Sequence, residues 1–287
     1  MAIGAMAVAE HPLAGLGYAS VSSDQPLVRI TGERAVRGSA CVAEEIPIAL
    51  VYNGRPYVVV MGTPADLEDL AIGFSLTEGI VERMAAIERI EVVRASHGIE
   101  LQIQIPVDDS AKLEERARGM AARTGCGLCG IERIGDVLRL PAGVARSLTI
   151  ARNALWRSSA ELSRAQAINN DTSTVHAAGW STPAGVLRVA REDVGRHNAL
   201  DKVLGALARG GAAASDGFVV VTSRASYEMV QKAAMCGVEL LAAISRPTGL
   251  AIRFAESAGV TLVGLLRGDT ANVYTHPERI HPLSVED

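Results

Sequence analysis

Aromatic side chains are scarce in this chain: they make up 3% of its 287 residues, with Phe three times and Trp twice. That excludes the stacking platforms on which single-stranded nucleic acid binds. No apolar run reaches the ~18 residues that a membrane-spanning helix needs. The net charge of -4 provides no general attraction for nucleic acid. Cysteine occurs four times, at Cys41, Cys126, Cys129 and Cys236. That is too few for a disulfide framework in a chain of this length, and it points to a reducing, cytoplasmic setting. Met1 to Ser23 is rich in Ala and Gly and has no Lys or Arg start. It fits neither a signal peptide nor a transit peptide, and residues 1–25 read as a flexible arm. What is abundant is apolar: 48% of residues are hydrophobic, enough for one large domain or two smaller ones.

From Pro26 the pattern is that of strands. Leu27 to Gly32 is one; Glu45 to Tyr52 and Tyr57 to Met61 flank Asn53-Gly54-Arg55-Pro56, a hairpin signal. Thr63-Pro64-Ala65-Asp66 then opens a helix over residues 64–79, with Thr63 placed to cap it and Asp66 to reach back as in a capping box. Ile87 to Ala95 and Gly98 to Pro106 form a further strand pair, and Asp109 to Thr124 reads as a charged helix or arm. These elements make residues 26–124 a β-rich N-terminal subdomain. Residues 125–148 follow as a glycine-rich loop and linker. Thr149 to Ala167 has helical spacing, with Ala154, Leu155, Leu162 and Ala165 on one face. Beyond Ser173 apolar runs alternate with helices at residues 197–208, 227–236 and 249–258. Such alternation implies an α/β unit, residues 149–287, built on a parallel or mixed sheet covered by helices.

The feature with most chemistry is Gly125-Cys126-Gly127-Leu128-Cys129-Gly130. Three glycines argue against a stable helix or strand there. The spacing suits half of a zinc site, a dithiol redox centre or a sulfur-carrying nucleophile. Zinc needs two further ligands, which His176, His197, His276 or His281 would have to bring through the fold. A thioredoxin-type centre expects the pair just after a strand, at a helix start; here it follows a predicted helix. A persulfide carrier needs one accessible thiolate, and Arg123 and Arg133 flank the loop and favour that form.

Further groups of polar residues punctuate the C-terminal half. Arg191 to Lys202 joins a strand to a helix; Arg196, His197, Lys202 and the free amides of a helix start there suit an anion. His197 and Asp201, four apart, are placed to pair on one helical face. Thr222-Ser223-Arg224-Ala225-Ser226 ends another apolar strand, where open α/β sheets bind ligands. The plainer reading makes Ser226 a simple N-cap with Glu228 in the first turn. Leu266-Arg267-Gly268-Asp269-Thr270 follows a third strand as a turn that offers Arg to phosphate and a carboxylate to guanine. Thr174-Val175-His176-Ala177-Ala178 places Ala where a zinc deaminase of the H-x-E type has its catalytic Glu. His176 therefore reads as a strand histidine near the pocket.

Taken in order, several stretches resemble the formate dehydrogenase accessory sulfurtransferase family, FdhD. They are Thr63-Pro64-x-Asp66-Leu67-Glu68-Asp69-Leu70-Ala71-x-Gly73-Phe74, Gly125 to Gly130, Val175-His176-Ala177-Ala178, Arg191 to Lys202, Ser223 to Val230, and Asn272-Val273-Tyr274-Thr275. The resemblance implies an α/β fold with a three-layer C-terminal domain like the cytidine deaminases, without their zinc chemistry, beside the smaller β-rich subdomain. It implies a cytoplasmic homodimer that takes sulfur from a cysteine desulfurase as a Cys126 persulfide. The sulfur passes to the molybdenum (or tungsten) cofactor of formate dehydrogenase, Mo-bis(molybdopterin guanine dinucleotide), bound as substrate; no permanently held cofactor or metal is implied. Cys129 assists, as second carrier or in release. Leu265, Leu266, Arg267, Gly268, Asp269 and Thr270 correspond to the guanine contact, and Arg196, His197, Arg224 and Arg267 are candidates for the pyrophosphates. The partners implied are the desulfurase and the catalytic subunit of formate dehydrogenase, with neither nucleic acid nor membrane. The rival readings are a zinc-binding deaminase-like protein and a cofactor chaperone without sulfur chemistry.

Overall fold

The computed structural model of the chain describes residues 20–109, 113 and 143–282. Cys126, Cys129 and most of the arm expected over Asp109 to Thr124 lie outside the described residues, as do residues 1–19.

A ribbon of two antiparallel strands comes first, β1 (Ser22–Thr31) and β2 (Arg34–Ala43), turning at Gly32 with φ +60°. The strand expected at Leu27 to Gly32 is there and begins at Ser22. Its partner β2 was not expected, because Arg-Ala-Val-Arg-Gly-Ser-Ala-Cys-Val-Ala has no clear period of two. Next come β3 (Ile46–Tyr52) and β4 (Arg55–Gly62), joined at Asn53-Gly54 with both φ angles positive (49° and 79°), as a hairpin turn of the primed type requires. Helix α1 (Leu67–Thr77) and strands β5 (Arg89–Ala95) and β6 (Gly98–Gln104) complete a sheet of order β4-β3-β6-β5. Leu70, Ala71 and Phe74 of α1 seal its inner face against Ile48, Leu50, Val58, Val60, Leu101 and Ile103.

The C-terminal unit runs β7 (Ile150–Ala151), α2 (Arg152–Arg164), α3 (Ala167–Thr172), β8 (His176–Ser181), β9 (Leu187–Asp193) and α4 (Arg196–Arg209). It continues with β10 (Phe218–Val221), α5 (Tyr227–Met235), β11 (Leu240–Ala243), α6 (Gly249–Ala258), β12 (Thr261–Arg267), β13 (Thr270–Val273) and β14 (Ile280–His281). Six strands pair in the order β13-β12-β11-β10-β8-β9, with β10, β11 and β12 parallel and the remaining pairings antiparallel. Helices cover both faces, so successive residues of a central strand enter opposite cores. Val219 and Val221 pack with α4, α5 and α6, whereas Phe218 and Val220 pack with Ala154, Leu155 and Leu162 of α2. This is the α/β, three-layer arrangement expected. No helix among the described residues is long and apolar enough to cross a membrane.

Two local expectations need correction. The helix read over Thr149 to Ala167 is a short strand and two helices. The Glu192 carboxylate accepts from the amides of Ile168 and Asn169 at 2.9 and 2.8 Å, so the second helix has a start of its own. The turn read at Leu266 to Thr270 is there: Gly268 (φ +56°) closes the hairpin from β12 to β13. Thr63 and Asp66 do not form a capping box: Asp66 is the N-cap, in the left-handed region (φ 51°), and makes no side-chain cap bond. Thr63 works across the molecule instead. Its amide donates to Asp193 Oδ2 at 3.1 Å and its Oγ1 accepts from the Val194 amide at 3.1 Å.

That contact belongs to the junction between the two units, where α1 crosses α4. A Cβ on Gly73 would lie 1.8 Å from the Asp201 carbonyl oxygen, and one on Gly205 would lie 1.9 Å from that of Asp69. The two backbones touch because each presents glycine to the other. Charges are buried around the crossing. Lys202 Nζ, fully buried, donates to Asp193 Oδ2 at 2.6 Å and to the Thr63 carbonyl at 3.1 Å. Asp69 forms ion pairs with Arg191 and Arg209, both at 2.8 Å. Lys232 reaches Glu78 at 2.8 Å and Asp201 at 2.9 Å, and lies 5.0 Å from the centre of the Phe74 ring. Burial opposes the charge on Lys232, but Asp201 and Glu78 outweigh it and hold the ammonium well above its ordinary pKa. Two carboxylates share that one cation, so burial is able to push Asp201 upward at the same time.

Overpacking a tight core costs about 1–3 kcal/mol, and the Gly205→Ala clash falls on backbone that cannot step aside. Its thermal unfolding midpoint is expected to drop accordingly, by several degrees. Removing one partner of a buried pair costs about 3–5 kcal/mol, whereas replacing both is far milder. In urea unfolding, Lys202→Met is therefore expected to cost about 3–5 kcal/mol, and adding Asp193→Leu is not expected to recover it, because the Thr63 and Gly195 amides and Asn198 lose their acceptor as well.

Candidate functional site

The C-terminal ends of the parallel strands β10, β11 and β12 lie along one edge of the six-stranded sheet, the edge at which open α/β sheets take their ligands. Three helices, α4, α5 and α6, start there. The N-caps of α4 and α5 are Gly195 and Ser226, and neither supplies a side-chain cap bond. Thr248, by contrast, caps α6 by accepting from the Ala251 amide at 3.3 Å. Free amides and the positive ends of two helices therefore face the same rim.

Basic groups gather around these starts. Arg196 and His197 open α4, Arg224 is exposed in the β10–α5 loop, and His176 begins β8 opposite Asp193. Burial first, and then the neighbouring charges of Arg196, His197 and Arg224, lower the pKa of His176, so it stands neutral at pH 7. Among the described residues, Arg196 Nε and Ser226 Oγ are buried atoms with no hydrogen-bond partner. Ser226 is thus more than the plain cap of the simpler reading: its hydroxyl leaves the helix amides unserved and is itself unserved. His197 does not pair with Asp201, as its spacing suggested. Its Nε2 lies 2.6 Å from Glu228 Oε2, which ties the start of α4 to the start of α5, while Asp201 is taken by Lys232 and Thr77. Helical spacing marked both residues but not the neighbour that competes for each.

The β12–β13 turn forms the other end of the rim. Arg267 is exposed and its Nε donates to the Ile244 carbonyl at 3.3 Å; Gly268 turns the chain at φ +56°; Thr270 Oγ1 donates to the Arg267 carbonyl at 3.0 Å. Asp269 is exposed beside them. Leu265 adopts φ +53° at a bulge and its amide donates to the Ser245 carbonyl at 3.2 Å. Leu266 is 1% exposed and packs in the core below the sheet, so it presents no surface to a ligand. The loops between these ends are joined: the Thr248 amide donates to the Ala225 carbonyl at 3.1 Å, and the Ile244 amide to that of Val221 at 3.0 Å. β10 and β12 are two strand spacings apart, roughly 10 Å. The rim therefore offers basic groups at separate points along its length rather than in one spot.

Thiol chemistry has few carriers here. Among the described residues the free cysteines are Cys41, on the ribbon, and Cys236, at the end of α5. Burial, and then the Asp201 carboxylate, push the Cys236 thiol up to about 12, so it is a poor nucleophile at neutral pH. No three His, Cys, Asp or Glu side chains among the described residues come together as a metal-binding cluster.

A sequence model described as the FdhD/NarQ family matches residues 43–281. The sulfur carrier protein FdhD of Xanthomonas axonopodis pv. citri is 51% identical over 252 residues, covering 88% of this chain and 90% of that one. The protein of the same name from Bordetella petrii is 47% identical over 260 residues, covering 90% of this chain and 94% of its own. Among solved structures, one described as a formate dehydrogenase accessory protein from Desulfotalea psychrophila superposes with a TM-score of 0.72 at 26% identity, over 91% of this chain and all of that one. On this similarity, spread over nearly its whole length, the chain belongs to the FdhD/NarQ family.

Proposed function

We propose that this chain carries sulfur as a persulfide on Cys126 and delivers it to a guanine dinucleotide form of the molybdenum or tungsten cofactor held on the rim, so that formate dehydrogenase becomes active. The observation that carries the reading is the rim itself: two helix starts without a side-chain cap bond, with Arg196, His197 and Arg224 beside them and Arg267 farther along the same sheet edge. Pyrophosphate groups need such donors, and an extended dinucleotide needs them spread out. The relatives' names, sulfur carrier protein and formate dehydrogenase accessory protein, agree with it.

In the loading step the Cys126 thiolate attacks the outer sulfur of a persulfide on the desulfurase. The donor's S–S bond breaks, its cysteine leaves as thiolate, and a new S–S bond forms on Cys126 with no net oxidation. The Cys236 thiol, held protonated, does not compete. A second thiol close by carries a risk. If the Cys129 thiolate attacks the inner sulfur, hydrogensulfide leaves and a disulfide closes, so sulfur is kept only while Cys129 stays away from the loaded atom. The rim residues bind the cofactor's phosphates and bring its metal, here the substrate, to that sulfur.

Incubation with a cysteine desulfurase and free cysteine, followed by intact-protein mass spectrometry, is expected to add one sulfur to the wild type and to Cys129→Ala, and none to Cys126→Ala. An adduct on Cys126→Ala that is missing from Cys129→Ala would reverse the assignment. Guanosine diphosphate, used as the probe of the rim, is expected to bind Arg196→Ala tenfold to a hundredfold more weakly, the worth of one charged hydrogen bond at about 1.5–3 kcal/mol. Unchanged affinity would remove the phosphates from this place. The lowered pKa of His176 favours its neutral form in the folded state. It therefore contributes stability above the ordinary histidine value of about 6.5, which is lost as pH falls through the lowered one. Over the same range the probe is expected to bind more tightly, because protonation adds positive charge beside it. His176→Gln is expected to flatten both pH profiles.

A further inference from the structure

The three parallel strands of the C-terminal sheet each deliver an arginine to the same edge: Arg224 after β10, Arg246 after β11 and Arg267 at the end of β12. Register brings them to one level. Val221 pairs with Ala243, and Ala242 with Val263. Counted on from these pairs, Arg224 stands beside Arg246 and Arg246 beside Arg267. The first two loops keep step beyond their strands. The Ile244 amide donates to the Val221 carbonyl at 3.0 Å, and four residues on the Thr248 amide donates to the Ala225 carbonyl at 3.1 Å. The loops also match in sequence: Ser223-Arg224-Ala225-Ser226 lies beside Ser245-Arg246-Pro247-Thr248, and each run ends on the N-cap of a helix. Arg267 leans toward them, its Nε on the Ile244 carbonyl at 3.3 Å.

Neighbouring strands lie about 5 Å apart, so the three arginines repeat at that interval over roughly 10 Å. All three are exposed. Among the described residues none of them makes an ion pair, whereas Arg191, Arg209 and Arg279 each hold a carboxylate. Glu228, close to the first loop in sequence, is taken by His197. Residues 244–253 carry Arg246 and Arg253 and no Asp or Glu. Asp269, two residues past Arg267, pairs with none of the three. Like charges in a row repel one another, and an anion with several charges relieves that repulsion.

We propose that Arg224, Arg246 and Arg267 form a ladder for a pyrophosphate group, and that Arg246, the middle rung, selects two linked phosphates over one. The inference rests on the phosphate reading of the rim and adds to it a residue and a spacing. Any single rung serves one phosphate. Linked phosphates engage two neighbouring rungs, and the middle rung belongs to both neighbouring pairs. Arginine suits the task because its planar fork gives a phosphate two parallel N–H donors, which lysine does not reproduce.

Calorimetric titration of the full chain with inorganic pyrophosphate and with inorganic phosphate tests this. The wild type is expected to prefer pyrophosphate by about tenfold or more, the worth of one further charged hydrogen bond. Arg246→Ala is expected to abolish that preference, while its affinity for phosphate changes by about threefold at most, since the outer rungs remain. Arg224→Ala and Arg267→Ala each leave one neighbouring pair intact and are expected to weaken pyrophosphate less than Arg246→Ala does. Arg246→Lys keeps the charge without the fork and is expected to fall between. Without ligand, the unfolding midpoint of Arg246→Ala is expected to match or exceed that of the wild type, most clearly at low salt, because one like charge is gone. A preference for pyrophosphate that survives Arg246→Ala overturns the ladder. So does a wild type with no such preference, or an equal loss from all three alanine variants, which a diffuse positive field would give. If guanosine diphosphate still responds to Arg196→Ala in those cases, the rim reading stands and the ladder alone falls. A wild type that binds neither pyrophosphate nor guanosine diphosphate overturns both.

Discussion

Two glycines in mid-helix decide how this molecule is put together. Gly73 and Gly205 let the backbones of α1 and α4 touch, with space for no more than a hydrogen at either position. Glycine weakens a helix by about 1 kcal/mol relative to alanine, so its presence in two helices needs a compensating gain. The gain is proximity. Once the helices touch, Thr63 reaches the Asp193 region and Lys232 comes within reach of Glu78, both across the junction. The N-terminal sheet and the C-terminal sheet thereby become one body rather than two linked ones.

The same junction holds the floor of the rim. Asp193 ends β9, pairs with Lys202 on α4, and accepts from Asn198 and from the Gly195 amide at the start of that helix. The loop that presents Arg196 and His197 is therefore pinned from beneath by a buried ion pair and from the side by the Glu228 contact. Preorganisation of this kind keeps cationic groups together without an anion present, at the cost of their mutual repulsion. The pKa of His176, lowered first by burial and then by the charges of Arg196, His197 and Arg224, registers part of that cost, and Arg196 Nε is left without a hydrogen-bond partner. Part of the molecule's stability is held back at the rim, where a ligand rich in acceptors would restore it.

Much of this was legible residue by residue. Asn53-Gly54 announced its hairpin because few residue pairs tolerate positive φ in succession. The helix read over residues 249–258 was found as Gly249–Ala258, since an apolar face of period 3.6 and a C-terminal Gly259 in the left-handed region leave little choice. The strands of the C-terminal sheet stood out as apolar runs because both of their faces are covered. The ribbon strand β2 was hidden for the opposite reason: exposed on both faces, it has no pattern to display. Glycines inside α1 and α4 were the visible signal of the crossing, yet nothing in either stretch named the other as its partner.

The sequence by itself determined the kinds of element, their order, the turns and the polar stretches at strand ends. These follow from period, turn chemistry and capping, which act over a few residues. Tertiary structure alone decided which polar group meets which. Thr63 caps nothing nearby and binds 130 residues away; His197 passes over Asp201, one helical turn on, for Glu228. An ion pair or hydrogen bond depends on a distance of about 3 Å and on the loss of competing water, and both are set only after the helices and sheets have packed.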